Sequence, residues 1–129
     1  DVLIVQDPTL LHQVDVFQGL QPDGYVLINT SRSFDELGLG EITTRFRRDR
    51  LATVAASEIA MKHLGRPLPN AALLGGFAAL SGLITLDAVA HAIRHTFAAK
   101  LAEANVAAAT DAFASVRDEL KEPTHAQAD

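Results

Sequence analysis

Two short, uninterrupted apolar runs near the start of the sequence constrain the fold most. They occupy residues 2–5 and 25–28, and turn-forming residues follow the first and precede the second. Runs of this length without polar alternation are typical of strands buried on both faces, as in parallel sheets. About 19 residues join the two runs. That length fits a crossover connection, so the pattern predicts a βαβ unit of right-handed topology.

The distribution of alanine divides the chain into two parts. It is absent from residues 1–50 and occurs 22 times in residues 51–129. Because alanine is the best helix former, strands are predicted first and helices later, in an α/β domain with a mainly parallel sheet. The first predicted helix is short, capped by Thr9, and ends near Gly19. An irregular stretch over 32–50 and a third strand over 51–54 follow. The later helices are predicted over 56–64, over 71–80 with Asn70 as the cap, and after Thr85 with a break near 98–100.

Composition excludes several classes of protein. A chain of 129 residues with 48% hydrophobic residues has the length of one domain and enough apolar side chains for one core. The net charge of −5 gives no global positive field, so neither nucleic acid nor an acidic membrane surface is expected as a partner. With no cysteine, the chain offers no disulfide, thiolate zinc site or cysteine-ligated iron–sulfur cluster. No apolar stretch is long enough for a membrane span, so we expect a cytoplasmic protein.

Asn29, Thr30 and Ser31 follow the second predicted strand directly. Ligands bind at the carboxyl ends of strands in open parallel sheets, which makes these three residues the first candidates for a binding site. Small polar residues also simply end strands, so a purely structural role stays open.

A basic cluster of four arginines lies in this acidic chain: Arg45, Arg47, Arg48 and Arg50. Guanidinium groups pair with phosphate or carboxylate, so the cluster fits an anionic ligand or an acidic partner subunit. A charged strand edge with Asp49 and Glu41 as ion-pair partners is the alternative.

His91 and His95 are four residues apart, which places them on one face of a helix. Ala92 stands where a zinc protease has glutamate, and both histidines lie opposite the apolar stripe of this helix, so we expect them on the solvated surface. No dinucleotide-binding glycine motif, P-loop or nucleophile elbow is present, and no catalytic residue is predicted. Glycines 75, 76 and 82 predict close approach of backbones.

Several segments, taken in order, resemble one family. They are residues 1–11 (DVLIVQDPTLL), 19–30 (GLQPDGYVLINT), 64–75 (LGRPLPNAALLG) and the late positions Phe97, Lys100, Glu103 and Asn105. These are similar to the gamma subunit of pyruvate and 2-ketoisovalerate ferredoxin oxidoreductases, and the likeness extends from residue 1 to about residue 118.

The resemblance implies a three-layer, Rossmann-like domain in a complex that converts a 2-oxoacid to acyl-coenzyme A, CO₂ and reduced ferredoxin. It implies alpha, beta and ferredoxin-like delta partners that carry thiamine diphosphate, Mg and [4Fe-4S] clusters, with no cofactor held by this chain. It places Asn29, Thr30 and Ser31 near the coenzyme A channel. A freestanding nucleotide- or acyl-binding α/β protein is the alternative.

The family pattern also begins earlier, with a strand and a glycine-rich G-x-G-G-Q-G turn that do not occur here. We therefore expect residues 1–121 to be the later part of a gamma-type domain, with a missing segment or a partner covering an exposed sheet edge. Residues 122–129 contain no core-forming residue and are predicted to be a flexible tail.

Overall fold

A three-stranded parallel sheet forms the centre of the molecule. The computed structural model describes residues 2–12 and 17–121, and of His12 and Ile42 the backbone alone. The strands are β1 (Val2–Val5), β2 (Tyr25–Asn29) and β3 (Leu51–Val54), in the order β1-β2-β3 and parallel throughout. Both apolar runs and the predicted third strand are therefore confirmed, together with the α/β class.

The longer helices lie in the alanine-rich region after residue 51, as predicted, and only short helical turns precede it in the described part of the chain. They are α1 (Ile42–Arg45), α2 (Ala56–Leu64), α3 (Asn70–Ser81), α4 (Leu86–Thr96) and α5 (Ala99–Lys121), with 3₁₀ helices at Pro8–His12 and Arg48–Arg50. Thr85 caps α4 by accepting a hydrogen bond from the Ala88 N–H, and α4 and α5 meet at the predicted break. No helix in the described part of the chain is long and apolar enough to cross a membrane.

The two faces of the sheet are covered differently. Alternate strand residues such as Leu27 and Val54 pack against helices α2, α3 and α5, which supply mainly alanine and leucine. The opposite residues, such as Val26 and Ile28, pack against the two crossover segments, which supply phenylalanine and leucine. Helix α4 lies outside α3 and α5 in a further apolar cluster. The sheet thus lies between a helical layer and a layer of largely irregular chain.

Helices α3 and α5 touch through their backbones. A Cβ atom at Gly75 would overlap the carbonyl oxygen of Ala109 and lie 2.8 Å from its Cα atom. Gly76 faces side chains instead, with Val116 Cγ2 at 3.3 Å from the Cβ position. Gly75 therefore confirms the predicted close approach of backbones, whereas Gly76 does not. At Gly82 the prediction is wrong, because nothing lies within 4 Å and the residue ends α3 with φ of +68°.

Two capping predictions are wrong. Asn70 is the first residue of α3, Pro69 occupies the N-cap position, and no side chain caps this end, since the chain already turns into helical geometry at Pro69. Thr9 lies inside the 3₁₀ helix Pro8–His12 rather than before it, and its N–H and hydroxyl donate to the carboxylate of Asp7, at 3.0 and 2.7 Å. The first crossover forms a 3₁₀ helix over Pro8–His12. Val14, which the predicted helix includes, lies outside the described residues.

The second crossover, residues 32–50, is irregular as predicted apart from two short helical turns. The proposed tail over residues 122–129 lies outside the described residues.

Candidate functional site

A polar pocket lies at the carboxyl end of the sheet. It has a volume of about 400 Å³ and collects residues that follow all three strands. Its lining is Gln6, Asp7 and Pro8 after β1, Asn29 at the end of β2 with Thr30 and Ser31 after it, and Ala55, Ser57 and Glu58 after β3. The three residues predicted from the end of β2 therefore lie together in one site, at the position where parallel sheets bind ligands.

Asn29 is buried and uses its amide to join three elements. The Nδ2 atom donates to the carbonyl of Gln6 and to the hydroxyl of Ser57, each at 2.9 Å. The Oδ1 atom accepts from the backbone N–H of Ser57 at 3.2 Å. Ala55, the N-cap residue of α2, has no capping side chain, so Asn29 caps this helix from a neighbouring strand. Its amide is committed to structure, which makes it a positioning residue.

Hydroxyl and carboxylate groups dominate the rest of the pocket. Thr30 is half-buried and its hydroxyl accepts from the Arg32 N–H at 3.1 Å, whereas Ser31 is exposed. Hydrogen bonds from the Thr9 side chain and backbone lower the pKa of Asp7, which keeps this carboxyl ionised. Glu58 supplies a second carboxylate. Among the described lining residues there is neither lysine nor arginine, so the pocket suits an uncharged hydrogen-bonding group better than a phosphate.

The arginine cluster lies at the other end of the sheet, before β3, and its members do not converge. Arg47 forms a two-point ion pair with Asp49, at 3.0 and 2.7 Å, on the surface. Arg50 donates to the carbonyl of Asp23 at 2.7 Å and covers the ring of Tyr25 at 4.6 Å.

The two remaining arginines of the cluster have different surroundings. Arg45 is exposed, with its guanidinium 5.6 Å from the ring of Phe46. Arg48 is half-buried and lines a second cleft, of about 390 Å³, beside β3. The four side chains are thus not assembled into one anion site.

The histidine pair behaves as its spacing predicts. His91 and His95 are exposed on α4, with their rings nearly parallel and their centroids 6.4 Å apart. No group of three or more potential metal-ligating side chains occurs within residues 2–12 and 17–121.

Sequence reasoning missed the contributions of the first and third strands to the pocket. Asp7 follows β1, and Ser57 and Glu58 follow β3 within four residues. The rule that selected Asn29 applies equally to these strand ends, so it could have found them. Glu119, which lines the second cleft from α5, has no such signal, because it lies 66 positions from its partner Thr53.

The parallel sheet, with its polar pocket at the carboxyl end, places the chain in the α/β class, and comparison with known families narrows that class. A family model described as pyruvate ferredoxin/flavodoxin oxidoreductase matches residues 1–115. The chain belongs to this family.

Within the family, the chain is similar to one kind of subunit. It is 42% identical over 115 residues to the pyruvate/ketoisovalerate oxidoreductases common subunit gamma of Pyrococcus abyssi, covering 88% of this chain and 60% of that protein. It is 35% identical to pyruvate synthase subunit PorC of Methanothermobacter marburgensis, over 91% of this chain and 60% of that protein. The chain thus spans about 60% of the length of these relatives.

A solved structure agrees with this assignment. The pyruvate oxidoreductase subunit PORC of Thermotoga maritima superimposes with a TM-score of 0.72 at 27% identity, covering 88% of this chain and 61% of that one. The agreement supports the Rossmann-like α/β fold that the resemblance implies.

Proposed function

We propose that this chain is a gamma-type module of a 2-oxoacid:ferredoxin oxidoreductase. The reaction of the whole complex would convert pyruvate or a related 2-oxoacid to acyl-coenzyme A, CO₂ and reduced ferredoxin. The observation that carries the proposal is the family match over residues 1–115, in a chain 42% identical to a subunit named as common to pyruvate and ketoisovalerate oxidoreductases.

The chemistry of the reaction would lie on other subunits. Iron–sulfur clusters need cysteine ligands, and this chain has no cysteine. We therefore assign thiamine diphosphate, Mg and the [4Fe-4S] clusters to alpha, beta and ferredoxin-like delta partners, in a cytoplasmic complex that delivers electrons to ferredoxin. This module would contribute structure and a surface near coenzyme A, and no catalytic residue.

The carboxyl-end pocket is the surface that we assign to coenzyme A. Thr30 and Ser31 would line the channel, with Asn29 holding the pocket floor in place. Because Asp7 and Glu58 repel phosphate, the group that fits here is the uncharged, amide-bearing arm of coenzyme A rather than its nucleotide. The same carboxylates weigh against the alternative of a freestanding nucleotide-binding protein.

The arginine cluster is better suited to a partner subunit. Arg45 and Arg47 are exposed at the amino end of the sheet, away from the pocket, where they could meet carboxylates of another subunit. That position separates them from any coenzyme A bound at the carboxyl end.

The complex purified through an affinity tag on this chain tests the assignment. We expect thiamine diphosphate and iron–sulfur subunits to co-purify, with 2-oxoacid-dependent reduction of ferredoxin. A chain that purifies alone and binds a nucleotide would contradict the gamma-module assignment.

A variant of Ser31 tests the coenzyme A surface. In the assembled complex, Ser31→Leu should raise the KM for coenzyme A roughly tenfold, because a larger apolar side chain fills the channel and removes a hydroxyl. The KM for pantetheine, the arm without the nucleotide, should rise by the same factor. Ser115→Leu, an exposed position on α5, is the control. An unchanged KM in an assembled Ser31→Leu complex would remove Ser31 from the channel.

A further inference from the structure

The histidine pair of α4 is a feature that the proposed function does not use. His91 and His95 lie one turn apart on the outer face of this helix, and both are exposed. Their rings are inclined by only 14°, with the centroids 6.4 Å apart. Val89 and Ile93, on the opposite face, pack into the apolar cluster with α3 and α5. Both imidazoles therefore lie outside the core, side by side on the surface.

A spacing of four residues suits the binding of one metal ion by two imidazoles. The helix holds side chains at this spacing on one face, with their Cβ atoms about 5–6 Å apart. An imidazole nitrogen binds a transition metal at about 2.0–2.1 Å, so the rings must turn toward each other from their present separation. Both side chains are exposed, and exposed side chains change rotamer within nanoseconds. The backbone thus supplies the arrangement, and only rotation of the side chains is needed to complete it.

The charges around the pair favour a cation. Asp87 lies one turn before His91, on the same face of α4, and is exposed. The last turn of the helix, which contains His95, carries the negative end of the helix dipole. Arg94 would oppose a bound cation, but its guanidinium forms a two-point ion pair with Glu103, at 2.9 and 3.1 Å, which offsets its charge.

We propose that His91 and His95 form a surface site for a divalent transition metal of the class Ni²⁺, Cu²⁺ or Zn²⁺. These ions bind imidazole nitrogen readily, whereas Mg²⁺ and Ca²⁺ prefer oxygen ligands. Water or a small chelator would complete the coordination, because no third metal-ligating side chain joins the pair within residues 2–12 and 17–121. The site does not depend on the gamma-module assignment, since it needs neither coenzyme A nor a partner subunit.

Binding of Ni²⁺ held by nitrilotriacetate tests the site. This complex leaves two adjacent coordination positions open, so tight binding requires two imidazoles at once. The full chain, prepared without a histidine tag, should bind the complex in calorimetric titration at about pH 8, where imidazole is neutral. His95→Ala should weaken binding at least about tenfold, because the second bond is then no longer intramolecular.

The matched control combines His95→Ala with Thr96→His. It keeps the number of histidines and moves the second imidazole about 100° further round the helix, away from His91. Binding should be as weak as in His95→Ala alone. Both variants leave His12, His63 and His125 in place. Circular dichroism verifies that the helices are retained, as expected for substitutions at exposed positions.

Two results would overturn the proposal. Equal affinity of the wild type and His95→Ala would show that the nickel binds other groups, as an adventitious ion only. Equal affinity of the wild type and the control with Thr96→His would show that the spacing of four residues has no role. If the variants do not fold, ring resonances of the wild-type chain provide the decision. Less than one equivalent of the paramagnetic nickel complex should broaden the signals of His91 and His95 before that of His63, and the reverse order would exclude the site.

Discussion

The two faces of the sheet are packed in opposite ways. On the helix face, small residues let whole elements approach, so that Gly75 of α3 meets the backbone of Ala109 in α5. On the crossover face, irregular chain is held by large side chains, with the rings of Phe17 and Phe46 6.1 Å apart. Regular helices can pack closely through their backbones, whereas irregular segments need large side chains to fill the space above a strand. The two faces should therefore respond differently to substitution.

The largest effect is expected on the helix face, from Gly75→Ala. The added methyl group would overlap the Ala109 carbonyl, and a backbone cannot move aside as a side chain can, so we expect a loss of about 3 kcal/mol or more in the free energy of unfolding. Chemical denaturation measures it. Gly76→Ala is the control, because its nearest neighbour is the Val116 side chain at 3.3 Å, and it should cost less than about 1 kcal/mol. Equal losses at both positions would contradict backbone contact as the cause.

A smaller loss of stability is expected at Asn29, the buried polar residue at the carboxyl end of the helix face. Asn29→Ala removes three hydrogen bonds and leaves the Ser57 N–H without its cap, so we expect about 2 kcal/mol of destabilisation. Thermal unfolding provides the measurement, and Thr30→Ala, next in sequence but half-buried, provides the comparison. A wild-type melting temperature in Asn29→Ala would show that this amide does not support the pocket floor.

The crossover face should tolerate changes of shape. Phe46→Leu keeps an apolar side chain in the cluster with Phe17 and Leu51, and irregular chain can adjust to the smaller volume. We expect a loss of about 1 kcal/mol in urea denaturation. A loss as large as that of Gly75→Ala would remove the contrast between the two faces.

The smallest effect depends on pH and concerns the link between α2 and α5. His63 Nε2 lies 2.9 Å from Asp111 Oδ2, and this hydrogen bond, aided by the charges of Lys62 and His63, lowers the pKa of Asp111 in the folded chain. A lowered pKa stabilises the fold above the pKa of the unfolded carboxyl, and the contribution is lost as pH falls through the folded value.

Asp111→Asn tests this link. Its denaturation midpoint should lie below that of the wild type at neutral pH, and the difference should shrink as pH falls below about 4. Asp118→Asn, on the same helix and exposed, should show no such dependence. A difference between wild type and Asp111→Asn that stays constant with pH would exclude ionisation of Asp111 as its source.

The sequence allows prediction of the features that depend on local pattern. Apolar runs locate β1 and β2, and the rule for strand ends locates Asn29, Thr30 and Ser31 in one pocket. The role of Asn29 as a cap for α2 could not be predicted, because it depends on Ser57 lying beside it after the chain has crossed over the sheet. The preference of asparagine for N-cap positions also gives a wrong prediction at Asn70. The backbone is already helical at Pro69, so Asn70 is the first residue of the helix and does not cap it.

The partners of the charged side chains are the hardest feature to predict from the sequence. Four neighbouring arginines look like one anion site, yet Arg47 pairs with Asp49 and Arg50 with the Asp23 carbonyl, because a 3₁₀ turn directs successive side chains apart. Contacts between residues far apart in sequence, such as Thr53 with Glu119, depend on tertiary packing and leave no periodic signal.

The three hydrogen bonds of the Asn29 amide have a consequence for recognition. They fix the ends of β1 and β2 relative to the start of α2 before any ligand arrives. A molecule that enters the pocket therefore meets a preorganised floor and loses little affinity to ordering the protein. In the proposed coenzyme A site, selectivity would then depend in part on a floor whose shape is fixed before binding.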